Sequence, residues 1–248
     1  AAEWGGTDCY TNADYMSRIW SFLSSGPTGG WTSKSTPGET LFEGPFAVSS
    51  VSWHTCSSDV VNKLGPIVHE IGHMLGLSDL YGGANSVGVG NHDFMGSAWG
   101  FGAHTESPTS LSAYHKIRLG WLIPTVLDEG AGGRYEITPS ETTAVAYKVT
   151  AGYPEGEYLL VENRQPVEFD AYIGPGGLAI WHVDENQPYN GAAGNPWEDG
   201  WPGNGVGIRT RLTLLQADER YHMERKFNQG DGKDYFRNRG PGGVRPTR

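Results

Sequence analysis

Apolar positions along this chain follow two rhythms. Two stretches, near residues 66–76 and 107–121, keep helical spacing, and after Pro124 the spacing is two. In the first region, Ile67, Val68, Ile71, Met74, Leu75 and Leu77 fall on most sides of one helix, which predicts that the helix is buried. Its expected start is Pro66, whose fixed φ suits a first turn, and its expected stop is near Gly76. A second helix is expected from Pro108, with Ser107 as N-cap. Leu111, Tyr114, Ile117 and Trp121 keep near-helical spacing there, with Gly120 as a stop. After Pro124, residues 135–137, 144–149, 158–162, 178–183 and 209–215 read as strands. Gly/Pro/Asn-rich turns separate them, notably residues 174–177 and 186–207.

The remaining segments are weakly patterned. Residues 15–23 fit a short helix or an irregular strand, and residues 46–53 an edge strand. Residues 26–44 and the glycine-rich stretch 82–106 read as loops, and residues 230–248 as a loose end. The expected architecture is α+β. A region over residues 1–123, built around the helix at Pro66, carries the chemistry, and a β-rich half over residues 124–248 packs against it.

The chemistry is concentrated in one segment, His69-Glu70-Ile71-Gly72-His73-Met74-Leu75-Gly76-Leu77-Ser78-Asp79. Positions four apart share a helix face, so His69 and His73 can present two imidazoles to one metal ion. Glycine at position 76 lets the chain turn out of the helix. Asp79 can then return as a third ligand. Two nitrogens, one carboxylate oxygen and an open position describe a catalytic zinc site, not a closed structural one. Burying two histidines and a glutamate without partners would be costly, and a metal removes that cost.

In such a site a water of lowered pKa is the nucleophile. Glu70 takes its proton and later hands one to the leaving amine. An aspartate ligand adds negative charge relative to a three-histidine site. A neighbouring cation or hydrogen-bond donor is therefore expected to offset it. Downstream, Asp93-Phe94-Met95-Gly96-Ser97 fits the Met-turn of the metzincins, with Met95 as the apolar floor of the site. Many metzincins carry a tyrosine two residues after that methionine. Ser97 stands there in this chain, with Tyr81 and Tyr114 as the nearest candidates for the missing phenol.

Composition narrows the setting. The chain has 248 residues and a formal charge of −10, which disfavours nucleic acid and anionic membranes as partners. Charged residues make up 19%, against 37 glycines, 15 prolines and 9 tryptophans, a mix that suits a loop-rich fold with aromatic anchors. No apolar run reaches the roughly 18 residues of a membrane span. The opening Ala1-Ala2-Glu3-Trp4 is not a signal peptide and reads as the start of a processed chain. The two cysteines, Cys9 and Cys56, are expected to pair. The acidic, Lys-poor composition favours an extracellular setting over a cytosolic one with free thiols. Closing a loop of just under fifty residues would contribute roughly 4 kcal/mol in the chain-entropy model.

The segment His69–Tyr81 resembles the zinc segment of the immune inhibitor A family of secreted bacterial metallopeptidases, and Asp93–Ser97 resembles their Met-turn. Residues 112–121, 158–165, 177–184 and 214–218 are similar to further stretches of that family, so the likeness spans residue 66 to about 236. The resemblance implies a secreted zinc endopeptidase acting on protein or peptide substrates. Such enzymes are often made as zymogens and often calcium-stabilised. The chain departs from the family at Ser78 and Gly82, where Pro and Asp are frequent. Only 68 residues precede His69, few for the sheet a metzincin carries there. The expectation is a reduced N-terminal part, or one completed by another chain or domain. From that shortening comes an alternative function: a metzincin-like structural or adhesive module of an extracellular assembly.

Other residues read more plainly. His182 is expected to be a buried, hydrogen-bonded strand histidine, and Glu162-Asn163-Arg164 an internal polar network at a strand end. His92, His104 and His115 lack ligand spacing to His69 and His73 and are expected at the surface. Asp231 and Asp234, beside Gly230 and Gly232, suggest an oxygen-rich calcium loop, but the full loop pattern is absent and a solvated acidic turn is the simpler reading. Trp197, Glu198, Asp199 and Trp201 fit a binding rim or a loop pinned by aromatics.

Overall fold

Alternation after Pro124 becomes a five-stranded sheet in the computed structural model, which describes residues 21–25, 33–36, 38–39, 44–51, 61–82, 87–187 and 210–237. Contacts divide the chain into two units, Ala1–Leu77 and Ser78–Arg248. The presence of helices and two sheets is that of a mixed α+β protein. Cys9, Cys56 and residues 197–201 lie outside the described residues.

The first unit contains β1 (Phe22–Ser24), β2 (Phe46–Val48) and α1 (Leu64–Met74). The strands pair antiparallel with Phe22 opposite Val48, and α1 packs against both. The helix starts two residues earlier than expected, with Lys63 as N-cap. Pro66 is then its third residue. It is tolerated there because the first N–H groups of a helix have no partner inside it.

The expected burial of α1 is corrected. Its buried residues are Gly65, Pro66, Glu70 and Gly72, while Ile71, Met74 and Leu75 are 44–51% exposed. Small residues and the glutamate are covered, Leu64, Ile67 and Val68 are half-buried, and Ile71, Met74 and Leu75 face out. Periodicity located the helix, but an apolar residue on every side could not say which side would be covered.

The second unit holds α2 (Ala113–Arg118), β3 (Thr125–Leu127), β4 (Tyr147–Val149), β5 (Glu157–Arg164), β6 (Gly177–Asp184) and β7 (Leu212–Leu214). The sheet order is β3-β4-β5-β6-β7. Only the β3–β4 pair is parallel. Along β5, burial alternates strictly: Tyr158, Leu160, Glu162 and Arg164 point inward. Ala179, Trp181 and Val183 of β6 and Leu212 and Leu214 of β7 are buried with them, and α2 packs on β5.

Two expected elements differ. Residues 135–137 form no strand. The Tyr147 hydroxyl donates to the Glu136 carbonyl, and Asn163 Nδ2 to that of Ile137, so side chains take acceptors a ladder would have used. The second helix begins at Ala113 with Ser112, not Ser107, as N-cap. Upstream, Ser110 is held out of a helix because its N–H donates to Asp170 Oδ1 (2.7 Å) and its carbonyl accepts from Arg164 Nη2.

Arg164 is fully buried and is met by three carboxylates. Asp170 is bound at 2.6–2.8 Å, Glu141 stands at 3.4 Å and Glu162 at 3.5 Å. Glu162 also accepts from the Trp181 indole and the Ala113 N–H, joining β6 and the start of α2 to the same cluster. The expected internal network at Glu162–Arg164 is therefore present.

One guanidinium cannot neutralise three carboxylates. Burial, with a hydrogen bond to Asp170, raises the Glu141 carboxyl to about 7. Burial also raises Glu224, bonded to Gln216, to about 7. Asp93 moves the other way, to about 2: burial opposes its ionisation, but His115 and the Ser112 bonds outweigh that. A raised carboxyl binds its proton more tightly folded than unfolded, so its contribution is full below the ordinary value near 4.5 and is lost as pH rises through 7. The lowered Asp93 contributes above about 4, and that contribution is lost as pH falls through 2. The urea midpoint is therefore expected to peak between about pH 4 and 5 and to decline toward pH 8. Glu141→Gln and Glu224→Gln should flatten that decline. An unchanged slope in both variants would assign the decline to general repulsion among the net negative charges.

Candidate metal centre

The residues of α1 are placed by the way the helix ends. Gly76 adopts φ +85°. Its N–H donates to the His73 carbonyl (2.9 Å), and the Leu77 N–H donates to the Gly72 carbonyl (3.0 Å). This crossed pair is a Schellman ending, which needs a left-handed residue that glycine supplies without strain. The reversal brings Leu77 and Asp79 back over the last turn.

His69 and His73 lie one turn apart, with ring centroids 4.8 Å from each other and planes nearly perpendicular. One ligand atom from each of His69, His73 and Asp79 fits within a group no wider than 4.8 Å, so the three could hold a metal ion. All three side chains are half-buried, and Glu70 is buried beside them in sequence. Ligands at about 2.0–2.2 Å from one ion stand at most about 4.4 Å apart. Closing this group onto an ion takes only small side-chain movements. Among the described residues no other set of three His, Cys, Asp or Glu side chains converges in this way.

Two hydrogen bonds orient these candidate ligands, and neither was read from the sequence. His73 Nδ1 lies 2.9 Å from the Leu77 carbonyl oxygen. A carbonyl only accepts, so Nδ1 carries the hydrogen and Nε2 offers its lone pair. The Tyr81 hydroxyl donates to Asp79 Oδ2 (2.9 Å), which supplies the donor expected beside a carboxylate ligand. The signal for it was present in the Asp-x-Tyr spacing after the helix. Its meaning depended on the turn that follows Gly76.

The Met-turn sequence is organised by Asp93, which is fully buried. Its Oδ1 accepts from the Met95 N–H at 2.8 Å, and its carbonyl accepts from Gly96 and Ser97. Its Oδ2 accepts from the Ser112 N–H (2.8 Å), the Ser112 hydroxyl (2.6 Å) and His115 Nδ1 (3.1 Å). One carboxylate thus shapes the turn and anchors the N-cap of α2. Met95 is completely buried, and its carbonyl accepts from the N–H of Leu80, the neighbour of Asp79.

The expected surface placement of His92 and His115 is corrected, because both are buried. His115 pairs with Asp93. His92 lies between the Tyr235 hydroxyl (2.7 Å) and Asp234 Oδ2 (3.1 Å). Each histidine lies within hydrogen-bond distance of an internal aspartate from another part of the chain, so local spacing carried no sign of it. His104 stays at the surface, stacked on Tyr172 at 3.6 Å and bonded to Glu106. His182 faces Glu157 at 3.3 Å and keeps 17% of its side chain exposed. The Tyr114 phenol is buried, and burial with the nearby Glu185 raises it above its ordinary range. Asp231 and Asp234 bond within their own turn: the Asp231 N–H donates to Asp234 Oδ2.

The metal-free chain is expected to bind one Co2+ per molecule, read by visible absorption, and to lose that binding in His73→Ala and Asp79→Ala. Tyr81→Phe should weaken binding about tenfold, measured by chelator competition, because the carboxylate loses its orienting donor. Gly76→Ala should lower stability by about 1 kcal/mol through the left-handed φ alone, since its Cβ would meet no atom within 4 Å.

No family model matches the chain, and no curated protein matches it.

Proposed function

We propose that this chain is a secreted zinc-dependent endopeptidase of the metzincin type, related to the immune inhibitor A metallopeptidases it resembles in sequence. The observation that carries the proposal is the convergence of His69, His73 and Asp79 at the end of α1, with Glu70 buried on the same helix. The donor set fits zinc: two imidazoles and one carboxylate, with a fourth position left for a reactant. The Met95 turn and the Tyr81–Asp79 hydrogen bond add to the support.

A zinc ion held by these residues would supply a Lewis acid and an acidified water. The chain's own groups do the rest. His73, fixed by Leu77 in the tautomer with Nδ1 protonated, keeps Nε2 directed as a ligand. Tyr81 holds the Asp79 carboxylate in one orientation. Glu70 accepts the proton of the attacking water, and after the C–N bond breaks it returns that proton to the amine. Its burial strengthens its interaction with the developing charge.

No helix among the described residues is long and apolar enough to cross a membrane. Secretion, and a disulfide between Cys9 and Cys56, belong to the same proposal.

The test is cleavage of an unfolded protein substrate, with and without chelator, beside Glu70→Ala. The expected result is chelator-sensitive cleavage that falls by at least about 100-fold in Glu70→Ala, with metal content unchanged. Stoichiometric zinc without cleavage, after proteolytic activation as well, would replace the enzyme with a structural or adhesive module.

A further inference from the structure

A second site lies wholly within the Ser78–Arg248 unit, and its reading is independent of the metal centre. Loops around residues 101–102, 172–175, 218–220 and 230–237 enclose an open cleft of ≈ 960 Å³. Three cations line it, Arg220, Lys233 and Arg237, beside two acids, Asp218 and Asp231. The lining therefore carries one more cation than acid, in a chain of net charge −10.

The acids are already engaged. Asp218 Oδ1 accepts from the Arg220 N–H (3.1 Å), and its Oδ2 faces Arg220 Nε at 3.7 Å. Asp231 Oδ1 accepts from the Lys233 N–H (2.7 Å), and its Oδ2 from Asn228 (3.3 Å). Both carboxylates therefore shape their own loops.

The cations are less well matched. Among the described residues neither Lys233 nor Arg237 stands in an ion pair, whereas Arg220 does. Arg237 Nη2 donates to the Gly232 carbonyl (2.7 Å), but its Nε is buried without a hydrogen-bond partner. An oxyanion in the cleft offers the countercharge that Lys233 and Arg237 lack among the described residues. Tyr172 lines the same cleft, 47% exposed and stacked on one face by His104, which leaves ring surface for a planar group.

We propose that this cleft binds an oxyanion-bearing ligand, a carboxylate or a phosphoryl group, held by Lys233 and Arg237 beside Tyr172. A cation site is the poorer fit to the same walls. The carboxylates are taken up by their loops, and no three acidic or histidine ligands converge there among the described residues.

The test is an amide NMR titration of the full chain at low ionic strength, where charge pairing is least screened. Inorganic phosphate and benzoate serve as probes, with sodium chloride at matched ionic strength and calcium chloride as controls. Saturable shifts at Tyr172, Gly232 and Lys233 are expected. Binding should weaken about tenfold or more in Lys233→Ala and in Arg237→Gln, the usual loss for a charge-assisted hydrogen bond. Lys233 is exposed, so Lys233→Ala keeps its thermal midpoint and separates binding from folding. Phosphate binding tighter than benzoate assigns a phosphoryl ligand; the reverse assigns a carboxylate carried beside a ring. Absence of saturation, shifts reproduced by chloride, or affinity unchanged in both variants would reduce the site to an adventitious ion only. Saturation by Ca2+ that is lost in Asp231→Asn would overturn the proposal in favour of a cation.

Discussion

Burying one guanidinium is the constraint on which the larger unit depends. Arg164 has no exposed surface, and an isolated charge there would be far too costly to retain. Its partners come from well-separated parts of the chain: Asp170 just after β5, Glu141 before β4, and the carbonyls of His92 and Ser110. Satisfying that charge fixes the loop before α2, the segment containing His92 and the inner face of β5 together. Glu162, two residues earlier on the same face, extends the arrangement to Trp181 and the first residue of α2. Substituting Arg164 alone would leave buried carboxylates without their cation, whereas substituting Asp170 would remove the shortest of its three ion pairs. For that reason a polar strand end lies among apolar neighbours.

Asp93 repeats this logic on a smaller scale. Its two oxygens serve different purposes, one closing the turn around Met95 and the other holding Ser112 and His115. The position of Met95 is therefore coupled to the start of α2. The Leu80 N–H on the Met95 carbonyl continues that coupling to the residue after Asp79. Hydrogen bonding, more than any property of the methionine itself, puts the turn where it is. The opposed titration of Asp93 and Glu141 reflects their surroundings: burial raises both, but at Asp93 a histidine and two donors from Ser112 outweigh it, whereas at Glu141 a hydrogen bond to Asp170 adds to it and Arg164 only partly offsets it.

The candidate metal centre needs less of the protein. It consists of one helical turn, its left-handed glycine and three further residues. The geometry follows from local hydrogen bonds among Gly72, His73, Gly76 and Leu77. A site so local can be recognised in a sequence, and it can also persist where the surrounding sheet is small. That accounts for a complete donor set next to a first unit whose described strands are only three residues each.

By itself the sequence determined the features that depend on near neighbours. These were the helix around His69 and His73, its stop at Gly76, the return of Asp79, and the alternation of β5 and β6. Each follows from backbone geometry within a few residues. Tertiary structure decided what distance along the chain conceals. It chose Ser112 over Ser107 as a cap because Asp93 reaches it, and it left Ile71, Met74 and Leu75 outward on α1. It also drew His92 and His115 inside to partners 142 and 22 residues away. Pairing between charges is set by where the chain returns in space, and hydrophobic periodicity holds no record of that return.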